Sequence, residues 1–498
     1  MSSVKRNIIA NYLGSGWIAL MSLAFIPFYI RLMGAEAYGI VGVFISLQAM
    51  LSVLDLGLSQ TLNREMARLS SDHRNAGLMA DTVRTLEIIY WGIAITIVVI
   101  IVLLSKFIAF DWLNPEVLRR ETLIEALWVM SVVVGLRWPV ALYTGGLNGL
   151  QQQISVNILL AIFATLQGVG ALAVLHFIEP TLRAFFMWQA LIALLQVVAI
   201  RFVFLRYLAS PQPGSFKSAA IKDIWRFAAG VSGISILATI LTQLDKIILS
   251  KLLTLSDFGY YTFAASVAAV LYRLINPVFT AYYPRLTEHA SHNDIHGITR
   301  DYHHGSQLMA VAVLPAALTL AFFSREILEL WAGDPDIVLH SYWLVSLLAI
   351  GNSLNGLMHM PYALQLAHGW TRLALFTNLV AVIVLVPAII IATTHWGTAG
   401  AAGAWILLNG GYLLVSVQLM HHRLLKAEKW SWYINDVGKP LLLVLAVAGA
   451  GRMLVTGNMR DPLVLASLIV ILILTTVAAI SSSGYIRHAL LKQFARTH

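Results

Sequence analysis

Runs of about twenty apolar residues, each closed by charges, Gly, Pro or Asn, recur along the whole chain. At about 1.5 Å per residue such a run spans the roughly 30 Å hydrocarbon core of a bilayer. Backbone amides in lipid must be satisfied within their own segment, so each run is predicted to be a helix. Strands of an outer-membrane barrel would alternate at every second residue, and these runs do not. The pattern predicts spans near residues 10–30, 38–62, 85–105, 123–147, 154–176, 184–205 and 228–250. A second set follows near 258–282, 305–323, 340–366, 374–394, 399–420, 440–456 and 463–481. The first run reads as a span rather than a signal peptide, because its apolar region is too long and no small-residue cleavage pattern follows. The thirteenth weakens at its far end, where Gly449, Gly451 and Arg452 fall.

Composition agrees. The 498 residues are 59% hydrophobic and 11% charged, against about 45–50% and 25% in soluble domains. Cysteine is absent, which excludes disulfides and cysteine metal or redox centres. With the N-terminus in the cytoplasm, 21 of the 33 Lys and Arg fall on that side and ten outside, while Arg137 and Arg273 lie within spans. Nine acidic residues fall inside, eleven outside, and four in or at the ends of spans, so the faces carry about +12 and −1. That asymmetry predicts cytoplasmic termini. The net charge of +9 is therefore a topology signal. A nucleic-acid partner would need Lys and Arg gathered on one domain.

The chain also repeats. IRLMGAEAYGIVGVF from Ile30 resembles SKLLTLSDFGYYTFA from Ser250, at an offset of 220 residues. Arg31 then aligns with Lys251, Tyr38 with Phe258, Gly39 with Gly259 and Gly149 with Gly369. An offset of six spans keeps both halves in the same orientation, which is a parallel-repeat transporter architecture with its substrate site between the halves. The expected organisation is a six-helix lobe (1–207), a Pro/Ser-rich basic linker (208–226) and a second six-helix lobe (227–425). Residues 426–498 then hold two further spans and a cytoplasmic tail.

RLMGAEAYGIVGVF (31–44) and LSVLDLGLSQTLNREMA (51–67) resemble the start of the polysaccharide-biosynthesis (Wzx-type) flippases. These belong to the multidrug/oligosaccharidyl-lipid/polysaccharide exporter (MOP) superfamily. The first stretch matches that family's loop between spans one and two, the second its Asp-Leu-Gly-Leu turn, here Asp55 to Leu58. The resemblance implies an all-α protein of about fourteen spans, with two six-helix lobes in a V around a central cavity and two extra C-terminal helices. It implies a flippase that moves an undecaprenyl-diphosphate-linked oligosaccharide across the bacterial inner membrane by alternating access. No cofactor is implied; coupling to a proton or sodium gradient is, with a polysaccharide polymerase and glycosyltransferases as functional partners.

A charge at mid-bilayer costs at least about 2.5–3.5 kcal/mol on insertion scales, so ionisable residues inside spans are the first functional candidates. Arg137 in VVVGLRWPVALY and Arg273 in AVLYRLINPVF are both central. For a diphosphate cargo, guanidinium stays charged and grips phosphate oxygens bidentately. The alternative is pairing with a carboxylate or carbonyl within the lobe. Pro139 and Pro277 follow the two arginines and bend or loosen their helices. Asp55 and Asp245 are the candidates for ion coupling; Asp55 serves equally as a cap in its turn, and Lys246 adjoins Asp245. Glu87 and Glu125 fall at span ends, where interfacial solvation explains them. A stripe of neutral polar residues includes Gln48, Asn276, Asn378 and Asn409. Within it Asn352, Asn355 and His359 share one helix face and offer a saccharide donors and acceptors, or else join helices to each other.

Trp112, Trp331 and Trp396 fit an aromatic belt. His289, His292, His296, His303 and His304 crowd one predicted loop; without Cys or clustered carboxylates they read as solvated rather than metal-binding. No phosphate-cradling Gly-rich loop, nucleophile elbow or zinc-protease motif appears. Short extracytoplasmic loops argue against a membrane glycosyltransferase or polymerase. The alternatives nearest to the flippase are a cation-coupled multidrug antiporter and a lipid II flippase.

Overall fold

The computed structural model describes residues 3–70, 76–208, 214–217, 239, 242–455 and 462–488, with residues 3–10, 12, 462 and 463 as backbone only. Every regular element among them is helical. Twelve helical segments among the described residues are long and apolar enough to cross a membrane. One of them, Thr371–Arg423, runs 53 residues and breaks at Gly397, whose φ of 56° no helix can continue. A side chain on Gly400 would collide with the carbonyl of Ala392, although positions eight apart in an unbroken helix lie about 12 Å from each other. The chain therefore doubles back there, and this segment holds the two spans expected at 374–394 and 399–420. Most of the span expected at 228–250 lies outside the described residues. About fourteen spans remains the right approximate count.

Two compact units divide the chain at Gly259/Tyr260. In the first are α1 (Ser3–Ala24), α2 (Ile26–Met33), α3 (Ala35–Leu51) and α4 (Leu58–Leu69). Then come α5 (Ala76–Phe107), α6 (Arg120–Gly149), α7 (Gln153–Phe177) and α8 (Leu182–Leu208). Helix α6 is the centre, packed by α4, α5 and α8. Leu127, Met130, Val133 and Leu142 on α6 are fully buried, while Leu103 and Phe202 on its neighbours are 74% and 66% exposed. Outward apolar faces of this kind are unfavourable in water and suit lipid.

The second expected span, 38–62, is not one helix. After α3 the chain makes a tight turn at Ser52–Asp55, and Leu56 and Gly57 both take positive φ. Two consecutive left-handed residues cannot continue a right-handed helix, so α4 starts afresh at Leu58. That helix then lies hard against α6. A side chain on Gly145 would meet the Ser59 carbonyl, and one on Gly149 the Asn63 carbonyl. Glycines four apart thus form the seam that lets two backbones touch.

Loops expected on one side of the membrane meet each other. Glu36 accepts backbone N–H groups of Glu116, Val117 and Leu118 at 2.6, 2.9 and 3.1 Å. Asn114 donates to the Lys251 and Leu253 carbonyls at 2.7 and 3.3 Å. On the other side, Asp81 accepts the Ser215 amide at 2.6 Å. The aligned glycines Gly39 and Gly259, both in the first unit, pack reciprocally: one abuts the Leu255 carbonyl and the other that of Ala35, again 220 residues apart.

The division falls within α9 (Leu255–Ala268), which continues through one tightened helical turn at Ala269–Leu271 into α10 (Tyr272–Ser291). The second unit continues through α11 (Ile295–Phe322), α12 (Ser324–Trp331), α13 (Pro335–Ala367), α14 (Thr371–Gly411) and α15 (Val417–Arg423). Last come α16 (Lys439–Leu454) and α17 (Pro462–Ser482). Helix α11 forms its core, with Met309, Val313 and Ala317 against Met360, Leu364, Val444 and Ala479. Two aspartates fix helix starts. Asp334 accepts the Asp336 and Ile337 amides ahead of α13 at 3.0 and 3.3 Å, and Asp294 accepts the Gly297 amide ahead of α11 at 2.9 Å. That amide, with His289, holds the Asp294 carboxyl below its ordinary range. The thirteenth span does not fail at its far end, because Arg452 pairs with Glu326 and Gly451 seats against Ile471.

Gly149→Leu should therefore lower thermal stability by about 2 kcal/mol or more through overpacking, read as a fall in the melting midpoint of detergent-purified protein. Gly92→Ala, where nothing lies within 4 Å, should leave the melt unchanged.

Candidate functional site

Helix α3 with the turn that follows it, and helix α6, each present one face to a cavity of about 290 Å³ in the first unit. Gln48, Ser52 and Asp55 sit at i, i+4 and i+7; Val134, Arg137, Trp138 and Ala141 at i, i+3, i+4 and i+7. Ser59 on α4 and Tyr90 on α5 complete the wall. The turn after α3 matters here, because an unbroken helix would carry Asp55 and Ser59 along a straight axis rather than around the cavity.

Arg137 is held by neutral groups. It donates to Gln189 Oε1 at 2.6 Å and to Gln48 Oε1 at 3.4 Å, and its guanidinium stands 5.4 Å from the centre of the Phe44 ring. Gln189 is itself held by the Gln167 carbonyl at 3.4 Å, and Gln167 donates to Gln196 at 3.2 Å. Among the described residues no carboxylate pairs with Arg137, and its buried Nε has no hydrogen-bond partner. Amide oxygens orient a guanidinium but leave its unit charge uncancelled. Asp55 lies on the same cavity without forming an ion pair with Arg137. Tyr90 donates its hydroxyl to Asp55, as does Ser59 at 2.8 Å, and the Ser59 amide adds a longer bond of 3.4 Å. The capping role and the cavity position thus coincide in one carboxylate.

Glu87 corrects an expectation. It is not solvated at an interface but buried, accepting Arg201 at 2.6 Å, Tyr143 at 2.7 Å and Arg84 at 3.0 Å. Its partners sit three, 56 and 114 positions away, and only the nearest was visible as a neighbour in sequence. Glu125 is exposed, as expected of a span end. Asp245 and Lys246 approach to 3.8 Å, so these adjacent residues do pair.

In the second unit, Arg273 and Asn276 are exposed on α10, directly after the Ala269–Leu271 turn. Among the described residues the Arg273 side chain makes no ion pair or hydrogen bond. The polar face of α13 is engaged between helices. Asn352 accepts from Trp405 at 3.0 Å and Tyr272 at 3.3 Å, and Asn355 donates to Asn409 at 2.8 Å. His359 bonds the Asn355 carbonyl at 2.9 Å with its ring edge-on to Phe279. The histidines are not uniformly solvated either. His303 is buried between Asp436 and Glu428, and His289 contacts Asp294 at 2.8 Å. The predicted span began at 305, ten residues after the true helix start, which left His303 and His304 on the wrong side of the boundary. Among the described residues no group of three or more potential ligands is placed to hold a metal ion.

Apolar helices throughout, with a cation kept uncompensated on an internal cavity, define a multi-pass membrane protein of transporter type. The chain belongs to the polysaccharide biosynthesis protein family, which it matches over residues 4–289. It is 20% identical over 404 residues to a candidate O-antigen transporter of Shigella flexneri, across 81% of this chain and 94% of that protein. Its fold is similar to that of the lipid II flippase MurJ in an inward closed conformation. The TM-score is 0.68 at 13% identity, over 97% of this chain and 99% of MurJ. A multidrug resistance MATE family transporter of the MOP superfamily matches with a TM-score of 0.67 at 16% identity, over 83% and 96% of the two chains.

Removing one partner from a buried ion cluster strands the others. Glu87→Ala should cost about 3 kcal/mol and lower the melting midpoint, whereas Glu125→Ala should be silent in the same assay.

Proposed function

We propose that this protein is a flippase carrying an undecaprenyl-diphosphate-linked oligosaccharide from the cytoplasmic to the periplasmic leaflet, for assembly of O-antigen, capsule or exopolysaccharide. The observation that carries the reading is Arg137, a guanidinium on a cavity wall with neutral amides for partners. A carboxylate partner would have cancelled the charge; glutamines leave it for a ligand, and a diphosphate is the matching one. The cavity admits a diphosphate or a single sugar ring, so the remaining sugars and the polyprenyl tail lie elsewhere. Arg273 supplies the second cation, exposed and unpaired among the described residues. The helix break at Ser52–Gly57 sets the cavity-lining carboxylate off the α3 axis, as in the broken helices from which transporters build sites.

Asp55 is the first coupling candidate, because it stands on the same cavity wall as Arg137, held by Tyr90 and Ser59. An approaching diphosphate meets this carboxylate as well as Arg137, and a coupling cation held beside Asp55 would offset the repulsion, so cargo and coupling ion favour each other. Asp245, with Lys246 beside it, is the other coupling candidate, for a proton or sodium ion. Asn276, Asn352, Asn355 and His359 are proposed to offer hydrogen bonds to saccharide when the helices around them rearrange. The basic excess of one set of loops supports an inner-membrane placement with both termini cytoplasmic. A polysaccharide polymerase and glycosyltransferases are the expected functional partners. Family membership, the Shigella relative and the likeness to a lipid II flippase support a polyprenyl-linked cargo.

In a deletion strain, Arg137→Ala and Arg273→Ala should each cut surface polysaccharide at least roughly tenfold, the loss of one charge-assisted contact, with protein level unchanged. Arg→Lys at either position separates bidentate recognition from charge alone. Normal polysaccharide from both alanine variants would defeat the proposal. Lost drug efflux in their place would indicate an antiporter, and lost rescue of peptidoglycan synthesis a lipid II flippase.

A further inference from the structure

The second unit holds a different, half-open cavity of about 930 Å³ lined by polar side chains, and it shares no lining residue with the Arg137 cavity. Three parts of the chain wall it. Gln307 comes from α11, Ser481 and Arg487 from the end of α17 and the turn beyond it, and the third wall is a widened π-helical stretch, Trp432–Gly438, that leads into α16. Ser431, Asn435 and Lys439 stand four residues apart along that stretch and face the cavity together. Extra residues in a helical turn usually mark a working site.

The charge on these walls is unbalanced. Lys439 and Arg487 are exposed and form no ion pair among the described residues. Asp436 is the one carboxylate among the described lining residues, and both its oxygens are already engaged. One meets His303 Nδ1, and the other accepts from Gln307 Nε2 at 2.8 Å. On its far side His303 meets Glu428 at 3.0 Å. His304 and His488 add two more imidazoles to the wall. The cavity therefore offers two free cations with amide and hydroxyl donors between them, and the carboxylate that could have neutralised them is occupied.

Its position narrows the ligand. Trp430 beside it is 64% exposed and Tyr485 42%, the placement of aromatics at a bilayer boundary. On the neighbouring turns Ile434 and Leu442 are 53% and 68% exposed, an apolar face suited to lipid tails. A cationic cavity where hydrocarbon meets water fits a phosphate ester whose acyl chains stay in the membrane. The volume exceeds what a lone phosphate ion fills.

We propose that this cavity binds the phosphate-bearing headgroup of an anionic membrane lipid, clamped between Lys439 and Arg487. The bound headgroup would fasten the end of the last span to α11 and α16, reinforcing the bond by which the Tyr485 amide reaches Gln307 Oε1 at 2.9 Å. The site is independent of the cargo reading, since it uses no residue of that cavity.

The test uses the full chain, purified in detergent and stripped of lipid. Mixed vesicles of phosphatidylglycerol and phosphatidylethanolamine should raise its melting midpoint, and vesicles of phosphatidylcholine alone should not. Native mass spectrometry should find phosphatidylglycerol retained on the wild type. Lys439→Ala with Arg487→Ala should weaken that retention roughly thirtyfold, from two basic contacts at a membrane surface. The charge-conserving pair Lys439→Arg with Arg487→Lys, which tests folding, should keep it. Lys106→Ala, an exposed cation of the first unit, should change nothing. Stabilisation by inorganic phosphate, lost in the double alanine variant and without any response to lipid, would keep the phosphate chemistry but overturn the lipid source. Equal retention by the wild type and the double alanine variant, or no response to either ligand, would overturn the site.

Discussion

A charge placed among hydrocarbon must find its partner inside the protein, and the nature of that partner decides what the charge can do. Three solutions appear in this chain. Glu87 is surrounded by Arg201, Arg84 and Tyr143, and Glu326 pairs through one oxygen with Arg452; in both the charge holds helices together. Arg137 has glutamine oxygens in place of a carboxylate, so its orientation is fixed while its field extends into the cavity. The first two arrangements are fastenings. The third is a binding element.

Packing and site are joined through α4. Gly145 and Gly149 bring that helix against α6 at backbone distance, and Ser59, whose carbonyl makes the contact, also donates to Asp55. The separation of the carboxylate from Arg137 on α6 is thus set by the glycine seam. The left-handed pair Leu56–Gly57 does the other half, turning the chain so that α3 contributes one wall and α4 the next. A disturbance at the seam reaches the cavity without touching any residue that lines it.

Much of this was legible in sequence because it is local. Hydrophobic runs and their closing residues located most spans, whereas the Asp-Leu-Gly-Leu turn was marked by the family resemblance alone, the apolar pattern running one span, 38–62, straight through it. Arg137 was conspicuous as an isolated charge in an apolar helix. Gln189 was not. A glutamine among leucines gives no hint of a partner 52 positions away, and the long-range contacts that assemble Glu87 with Arg201 are hidden for the same reason. His303 was misread because the Asp294 cap starts α11 well before hydropathy rises, so a buried helical residue looked like part of a loop. Hydropathy finds where lipid is; it does not find where a helix begins.

The π-helical stretch Trp432–Gly438 adds one more consideration. A helix that takes up surplus residues in one turn keeps the two portions on either side out of ordinary phase. Rewinding the stretch as ordinary α-helix with every residue kept would swing everything downstream by about 100°. Lys439 would leave its wall, and the lipid-facing stripe of α16 would rotate toward the core. The winding of this short stretch therefore fixes the angular setting of the span that follows it, which makes its pitch as consequential as the identity of its residues.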